Sequence, residues 1–291
     1  MAPLMCASPA GPAPTGPRAA AGSYPELVER VLSGEFGALP EDLRIASAFT
    51  THQAVRHDGR NTGYRNEVLS LRLAGAVGSC AVEPGSLPAD VVAECAGSDA
   101  GSLLGHPLLP VRVAALDAYL MHTHGHGPAS GAVTWALPGG SSLLRSRARA
   151  RAVVSLLRLR PGGRVLVVGV VNSLLEALRR RGLGYIPCDW KGGATEWGEP
   201  VTTDAIGALD HCDAVLASGM TLGNGTFEGL RTRAVRQGKP LVMFAQTGSA
   251  VLPRLIGAGV TAVCAEPYPF FWLDGGPGSV HLYGGLSGGT P

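Results

Sequence analysis

From Arg164 to Glu266 the chain alternates wholly apolar runs with segments of helical period, and few architectures accept such a pattern. "RVLVVGVV" carries no polar face, as expected of a strand whose parallel sheet is covered on both sides. "NSLLEALRRRG" follows as a helix, with Asn172 or Ser173 as its N-cap and Gly182 as its C-cap. "GYIPCDW", "CDAVLASG", "PLVMFAQTG" and "VTAVCAE" read as further strands. "TFEGLRTRAVRQG" and "VLPRLIGAG" supply the intervening helices. Repeated βαβ units of this kind predict an α/β fold, a Rossmann-like doubly wound parallel sheet.

The preceding half reads differently. "SYPELVERVLSG" predicts a helix with Ser23 as N-cap, Pro25 in its first turn and Gly34 closing it. Two short strands around the polar loop 57–66 come next, then a short helix at "LPADVVAECAGS". "HPLLPVRVAALDAYLMHT" predicts a packed helix whose apolar face carries Val111, Ala114, Ala115, Ala118 and Leu120. "HGHGPASGAVTWALPGGSS" has linker composition, and a basic helix, "LLRSRARARAVVSLLRLR", follows it. Four segments are therefore expected: a disordered tail over 1–22, a smaller α+β domain over 23–124, a linker over 125–142, and a Rossmann-like ligand-binding domain over 143–291.

Bulk properties exclude several function classes. A net charge of +2 on 291 residues gives no electrostatic case for nucleic acid or an anionic membrane. No apolar run is long enough to span a bilayer, and the N-terminal residues lack a signal-peptide pattern. The six cysteines are scattered without a C-x-x-C pair, so reduced, buried thiols in a cytoplasmic protein are expected. A small-molecule substrate is the expected partner, and a homodimer is compatible with the sequence.

In an open parallel sheet, ligands bind beyond the carboxyl ends of the strands, where strand order reverses. The loops 169–173, 189–199, 218–228, 246–249 and 266–271 leave predicted strand ends and should gather on that edge. Only Gly169 stands where a dinucleotide fingerprint needs three glycines, which disfavours a pyrophosphate cofactor. Asp189 ends the second strand about 20 residues later, where an acid can hold ribose hydroxyls; a strand-end turn is the plainer alternative. Trp190 and Trp197 can stack on a base or simply anchor their loop. In "SGMTLGNGTFEG" the candidates are Ser218, Gly219, Thr221, Asn224 and Thr226, either orienting a ligand or capping the next helix.

The same stretch, within "CDAVLASGMTLGNGTFEGL", and the later "AQTGSAVLPRLIGAGV" resemble the "putative heavy-metal chelation" family, as does "GHPLLPVRVAALDAYL" upstream. The resemblance runs over roughly residues 60 to 270 by motif order. It implies an enolase-N-terminal-like domain joined to the Rossmann-like one, with a ligand site in the cleft between them. Two departures, "GVVN" after the first strand and the aromatic "EPYPFFW", imply a bulky or partly apolar ligand.

Three functions follow. One is an enzyme performing group transfer, elimination or cyclisation with a nucleotide-like ligand, most plausibly S-adenosylmethionine. It would be held by Gly169, Asn172, Asp189, Trp190, the 218–226 residues and Gln246, with Glu196, Tyr64 and Glu228 as candidate catalytic groups. The second is a metal or metal-chelate handling protein. Alternating His122, His124 and His126 would face one side of an extended strand and could bind a divalent metal. The third is a non-catalytic small-molecule binding module.

Overall fold

The computed structural model describes residues 21–56 and 63–284, so the expected tail lies almost wholly outside the described residues. Helix α1 (Tyr24–Leu32) opens the fold, with the Ser23 hydroxyl accepting from the Glu26 amide at 3.3 Å. A three-stranded antiparallel sheet follows: β1 (Ile45–Arg56), β2 (Gly63–Leu73) and β3 (Ala76–Val82). The short helices α2 (Val91–Cys95) and α3 (Ala100–Leu104) lead to the long α4 (Leu109–His124).

Helix α4 is not amphipathic in the expected way. Val111 and every residue from Val113 to Leu120 are buried, because β3 covers one side and the loops of the second sheet cover the other. Gly78 makes the sheet side possible: a Cβ there would lie 1.9 Å from the Ala118 amide nitrogen and 2.4 Å from the Ala114 carbonyl oxygen. Both atoms belong to a helix backbone that has little room to retreat. Gly78→Ala should therefore destabilise the protein by about 1–3 kcal/mol or more, measured by urea denaturation.

The second half is built from β4 (Val133–Leu137), α5 (Ser142–Ser155), β5 (Arg164–Val168), α6 (Asn172–Arg180), β6 (Gly184–Cys188) and α7 (Ala205–Ala208). It continues with β7 (Ala214–Ser218), α8 (Met220–Gly223), α9 (Phe227–Arg236), β8 (Leu241–Ala245), β9 (Ala262–Ala265) and β10 (Gly278–Tyr283). Seven strands form one sheet in the order β4-β10-β9-β8-β7-β5-β6. Five of them, β6-β5-β7-β8-β9, run parallel, and β10 pairs antiparallel with both β9 and the edge strand β4. The fold is thus a doubly wound α/β sheet preceded by a smaller α+β unit. Strand order reverses between β5 and β7, which places the ligand crevice of such folds at their carboxyl ends.

Three local expectations change. Residues 133–137, expected in a linker, form the edge strand β4 paired with β10. Val171, not Asn172 or Ser173, occupies the N-cap of α6 and makes no side-chain cap. The segment "VLPRLIGAG" holds only a 3₁₀ turn at Leu252–Leu255, since Pro253 removes a donor and Gly257 at φ 90° ends it.

The two units meet through hydrogen bonds centred on a buried carboxylate. Asp117 of α4 accepts from the Ser79 amide at 2.9 Å and from the Ala250 amide at 2.7 Å. The Ala81 amide donates to the Thr247 hydroxyl at 2.8 Å, and the Gly248 amide to the Ser79 carbonyl at 3.1 Å. The strand-end loop after β8 is therefore pinned to β3.

Candidate functional site

Above the carboxyl ends of β5, β7 and β8 lies a cleft with about 860 Å³ of free space, part of it open to solvent. The first domain contributes Val55, Asn66, Val68 and Ala81. The strand-end loops contribute Val171, Ser218, Met220, Gln246 and Thr247. The remaining wall comes from α5, through Ser142, Ser146 and Arg149, and from Phe244, Phe271 and Trp272.

Ser142, Ser146 and Arg149 are spaced i, i+4 and i+7, so one face of α5 looks into the cleft. The helix begins there too, with the Ser141 hydroxyl accepting from the Leu144 amide at 3.3 Å, and its dipole adds positive potential. Among the described residues Arg149 is the one cation in the wall, and its side chain is only 7% exposed. Its Nε donates to Glu266 Oε2 at 2.5 Å. Glu266, 2% exposed, is further held by Gln246 Nε2 at 2.9 Å and by the Phe271 amide at 2.7 Å. Three donors thus compensate one buried carboxylate.

The Nε edge of Arg149 is committed to Glu266, and its two Nη groups have no hydrogen-bond partner among the described residues. The guanidinium also lies 5.7 Å from the Phe244 ring centroid and 6.0 Å from that of Phe271. These rings orient it without satisfying its remaining donors. Arg145, one turn earlier, donates to the carbonyls of Phe271 and Asp274 at 2.5 and 2.6 Å, clamping the aromatic loop to α5.

Of the residues singled out in the sequence, Ser218 and Gln246 line the cleft. Gly169, at φ 90°, lets the turn after β5 pass Ser218, for a Cβ would sit 2.8 Å from the serine Cβ. Gly219 donates its amide to the Phe244 carbonyl at 3.0 Å, and Thr221 donates its hydroxyl to the Ser218 carbonyl at 2.8 Å. Both brace the wall from behind. Asn172 is buried beside Val171.

Other residues lie away from the lining. Asn224 Oδ1 accepts from both the amide and the hydroxyl of Thr226, so this exposed pair shapes its own loop. Glu228 accepts from the Tyr24 amide at 2.9 Å and pairs with Arg231, tying α1 to α9. Asp189 accepts from the Val170 and Lys191 amides at 3.4 and 3.1 Å, a strand-end turn. Trp190 is 64% exposed and Glu196 is half-buried in the same loop. Trp197 stacks on Arg179, which anchors the loop. The side chain of Tyr64 lies outside the described residues.

The histidines do not share a strand. His122 and His124 end α4, His124 packs edge-on against Phe36, and His126 follows the helix. His126 Nδ1 lies 2.6 Å from the Tyr283 hydroxyl, and its ring stacks on His281. Among the described residues, no three His, Cys, Asp or Glu side chains gather at metal-binding spacing. The five described cysteines are buried and free. Burial raises the Cys264 thiol to about 12 and those of Cys95 and Cys188 to about 11, so they stay protonated.

Burial, with smaller contributions from His281 and Arg254, lowers His126 to about 3 from its ordinary 6.5. The unfolded chain takes up this proton below about pH 6.5, while the folded one takes it up only near pH 3. Stability from this group is complete above the higher value and is lost as pH falls toward the lower. Burial raises Asp117 to about 7, which works in the opposite direction. Comparison with His126→Gln isolates the histidine: the wild type should lose stability relative to that variant between pH 6.5 and pH 3, read from thermal melts.

Comparisons with known proteins agree with this architecture. Residues 152–265 match the family model described as "DUF364: Putative heavy-metal chelation", so the family resemblance holds over the parallel sheet. A protein of unknown function from that family in Desulfitobacterium hafniense aligns with 84% of this chain and 87% of its own, at 16% identity and a TM-score of 0.54. One from Pyrococcus horikoshii aligns with 88% and 98%, at 15% identity and a TM-score of 0.53. These likenesses are of fold. No curated protein matches the chain. Among the described residues, no helix is long and apolar enough to cross a membrane.

Proposed function

We propose that the protein handles a small anionic metal-chelating molecule, free or metal-loaded, in the cleft between its two units. One observation carries this reading: the buried Arg149 lines a cleft of mixed aromatic and hydroxyl character, and none of the described residues hydrogen-bonds its two Nη groups. A bare heavy-metal ion asks for converging thiolate, imidazole or carboxylate donors, and the described residues present none. An oxyanion asks for a guanidinium edge and hydroxyls. The family description speaks of chelation, and a metal that arrives already bound to an organic acid satisfies both the description and the donor set.

Use of S-adenosylmethionine in group transfer, elimination or cyclisation remains a second reading. Its support is that the aromatic wall suits an adenine and Arg149 suits an amino-acid carboxylate. Its weakness is Asp189, whose oxygens already face the Val170 and Lys191 amides outside the lining.

A thermal-shift panel separates the two readings. It would contain dipicolinate, citrate and their iron(III) complexes, divalent zinc and nickel salts, and S-adenosylmethionine with S-adenosylhomocysteine. Saturation at ~100 Kd stabilises a protein by about 2.7 kcal/mol, well within reach of such melts. Stabilisation by the organic acids or their complexes is expected. Stabilisation by the bare ions alone, or by the adenosyl compounds alone, would overturn the proposal.

A further inference from the structure

The two groups that converge on Glu266 also limit what kind of acid the cleft can take. Glu266 Oε2 accepts from Arg149 Nε at 2.5 Å and from Gln246 Nε2 at 2.9 Å, so the guanidinium and the carboxamide are fixed side by side. An ionised carboxylate only accepts, which settles the Gln246 amide orientation: its nitrogen faces Glu266 and its oxygen does not. Gln246 Oε1 has no hydrogen-bond partner among the described residues, and Gln246 lines the cleft. The cleft therefore presents two donors, the Nη groups, next to one acceptor.

A ligand that satisfies all three needs an oxyanion with a hydroxyl or N–H donor beside it. Phe244, Phe271 and Trp272 add a largely apolar, aromatic wall. Phe271 and Trp272 meet edge to face at 5.2 Å, and the loop that carries them is clamped by Arg145. Such a preorganised aromatic wall favours a flat body over a branched one.

We infer that the cleft selects a flat aromatic acid with a hydrogen-bond donor adjacent to its carboxylate, the o-hydroxybenzoate class. This rests on the proposed function and narrows it. The same adjacent pair of oxygens makes such acids bidentate chelators of hard metal ions once the hydroxyl gives up its proton, so the Gln246 acceptor reads the metal-free acid.

The test is a calorimetric titration of the full chain with 2-hydroxybenzoate, 4-hydroxybenzoate, benzoate and aliphatic lactate. The 2-hydroxy acid is expected to bind about tenfold more tightly than benzoate or the 4-hydroxy isomer, since only it meets the Gln246 acceptor. In Gln246→Leu the ratio between the 2-hydroxy acid and benzoate should shrink to about onefold, whatever affinity all the acids lose together, and a melt of the variant verifies that it is folded. Equal affinities for the three aromatic acids in the wild type would overturn the adjacent donor. Tight binding of lactate with none of the aromatic acids would overturn the aromatic class and leave the anionic reading standing. If no organic acid binds at any accessible concentration, both fail together.

Discussion

Arg149→Met should abolish ligand binding in the cleft and cost about 3–5 kcal/mol of stability, because it leaves the buried Glu266 carboxylate without its cation. Most of that cost reflects the stranded charge rather than the worth of the pair. The double variant Arg149→Met/Glu266→Gln should therefore recover most of the stability, since a neutral amide keeps hydrogen bonding and removes the charge. It should not recover binding, because the Nη donors are gone. Urea denaturation separates the two effects, and titration with an aromatic acid follows the second. If the double variant bound ligand as the wild type does, Arg149 would be only a structural partner of Glu266.

The second large effect is expected at Asp117, which is not among the residues lining the cleft. Asp117→Ala leaves the Ser79 and Ala250 amides buried without an acceptor, at about 1–3 kcal/mol each. Asp117→Asn keeps one acceptor but points an amino group at the other donor, so it should fall between wild type and alanine. The Ser249 hydroxyl and the Val251 amide also favour the ionised carboxyl, although burial outweighs them and raises it to about 7. Because Ala250 lies two residues after Gly248, and Thr247 and Gly248 themselves bond to β3, the loss should loosen the Gln246–Thr247 wall. Ligand affinity should fall along with stability, and hydrogen exchange of the Ala250 amide should accelerate. A stable Asp117→Ala protein with normal exchange there would show that the seam does not depend on this carboxylate.

The parallel sheet was legible because βαβ units write themselves locally: apolar strand, turn residues, helix of period 3.6. Strand order and the antiparallel pair β10 and β4 were not, since pairing between Val280 and Trp135 joins segments about 145 residues apart. Within the site, Ser218 and Gln246 followed from topology alone, as residues at parallel strand ends. Arg149 was hidden in "LLRSRARARAVVS", which reads as a basic surface helix. Its one signal was the stripe Ser142, Arg145, Ser146 and Arg149, spaced i, i+3, i+4 and i+7, and Arg147 and Arg151 on the same helix masked it. Asp189, Glu228 and the Asn224–Thr226 pair show the converse: polar residues at loops often satisfy their own backbone.

The central claim is that Arg149 receives the acid group of an organic ligand in the cleft and that the protein does not hold a bare ion. Calorimetric titration with 2-hydroxybenzoate and, separately, with nickel(II) chloride tests it in the wild type and in Arg149→Met/Glu266→Gln. The account predicts stoichiometric binding of 2-hydroxybenzoate to the wild type, its loss in the double variant, and no stoichiometric binding of the free ion to either. Stoichiometric nickel binding to both proteins, with no heat from 2-hydroxybenzoate in either, would contradict it.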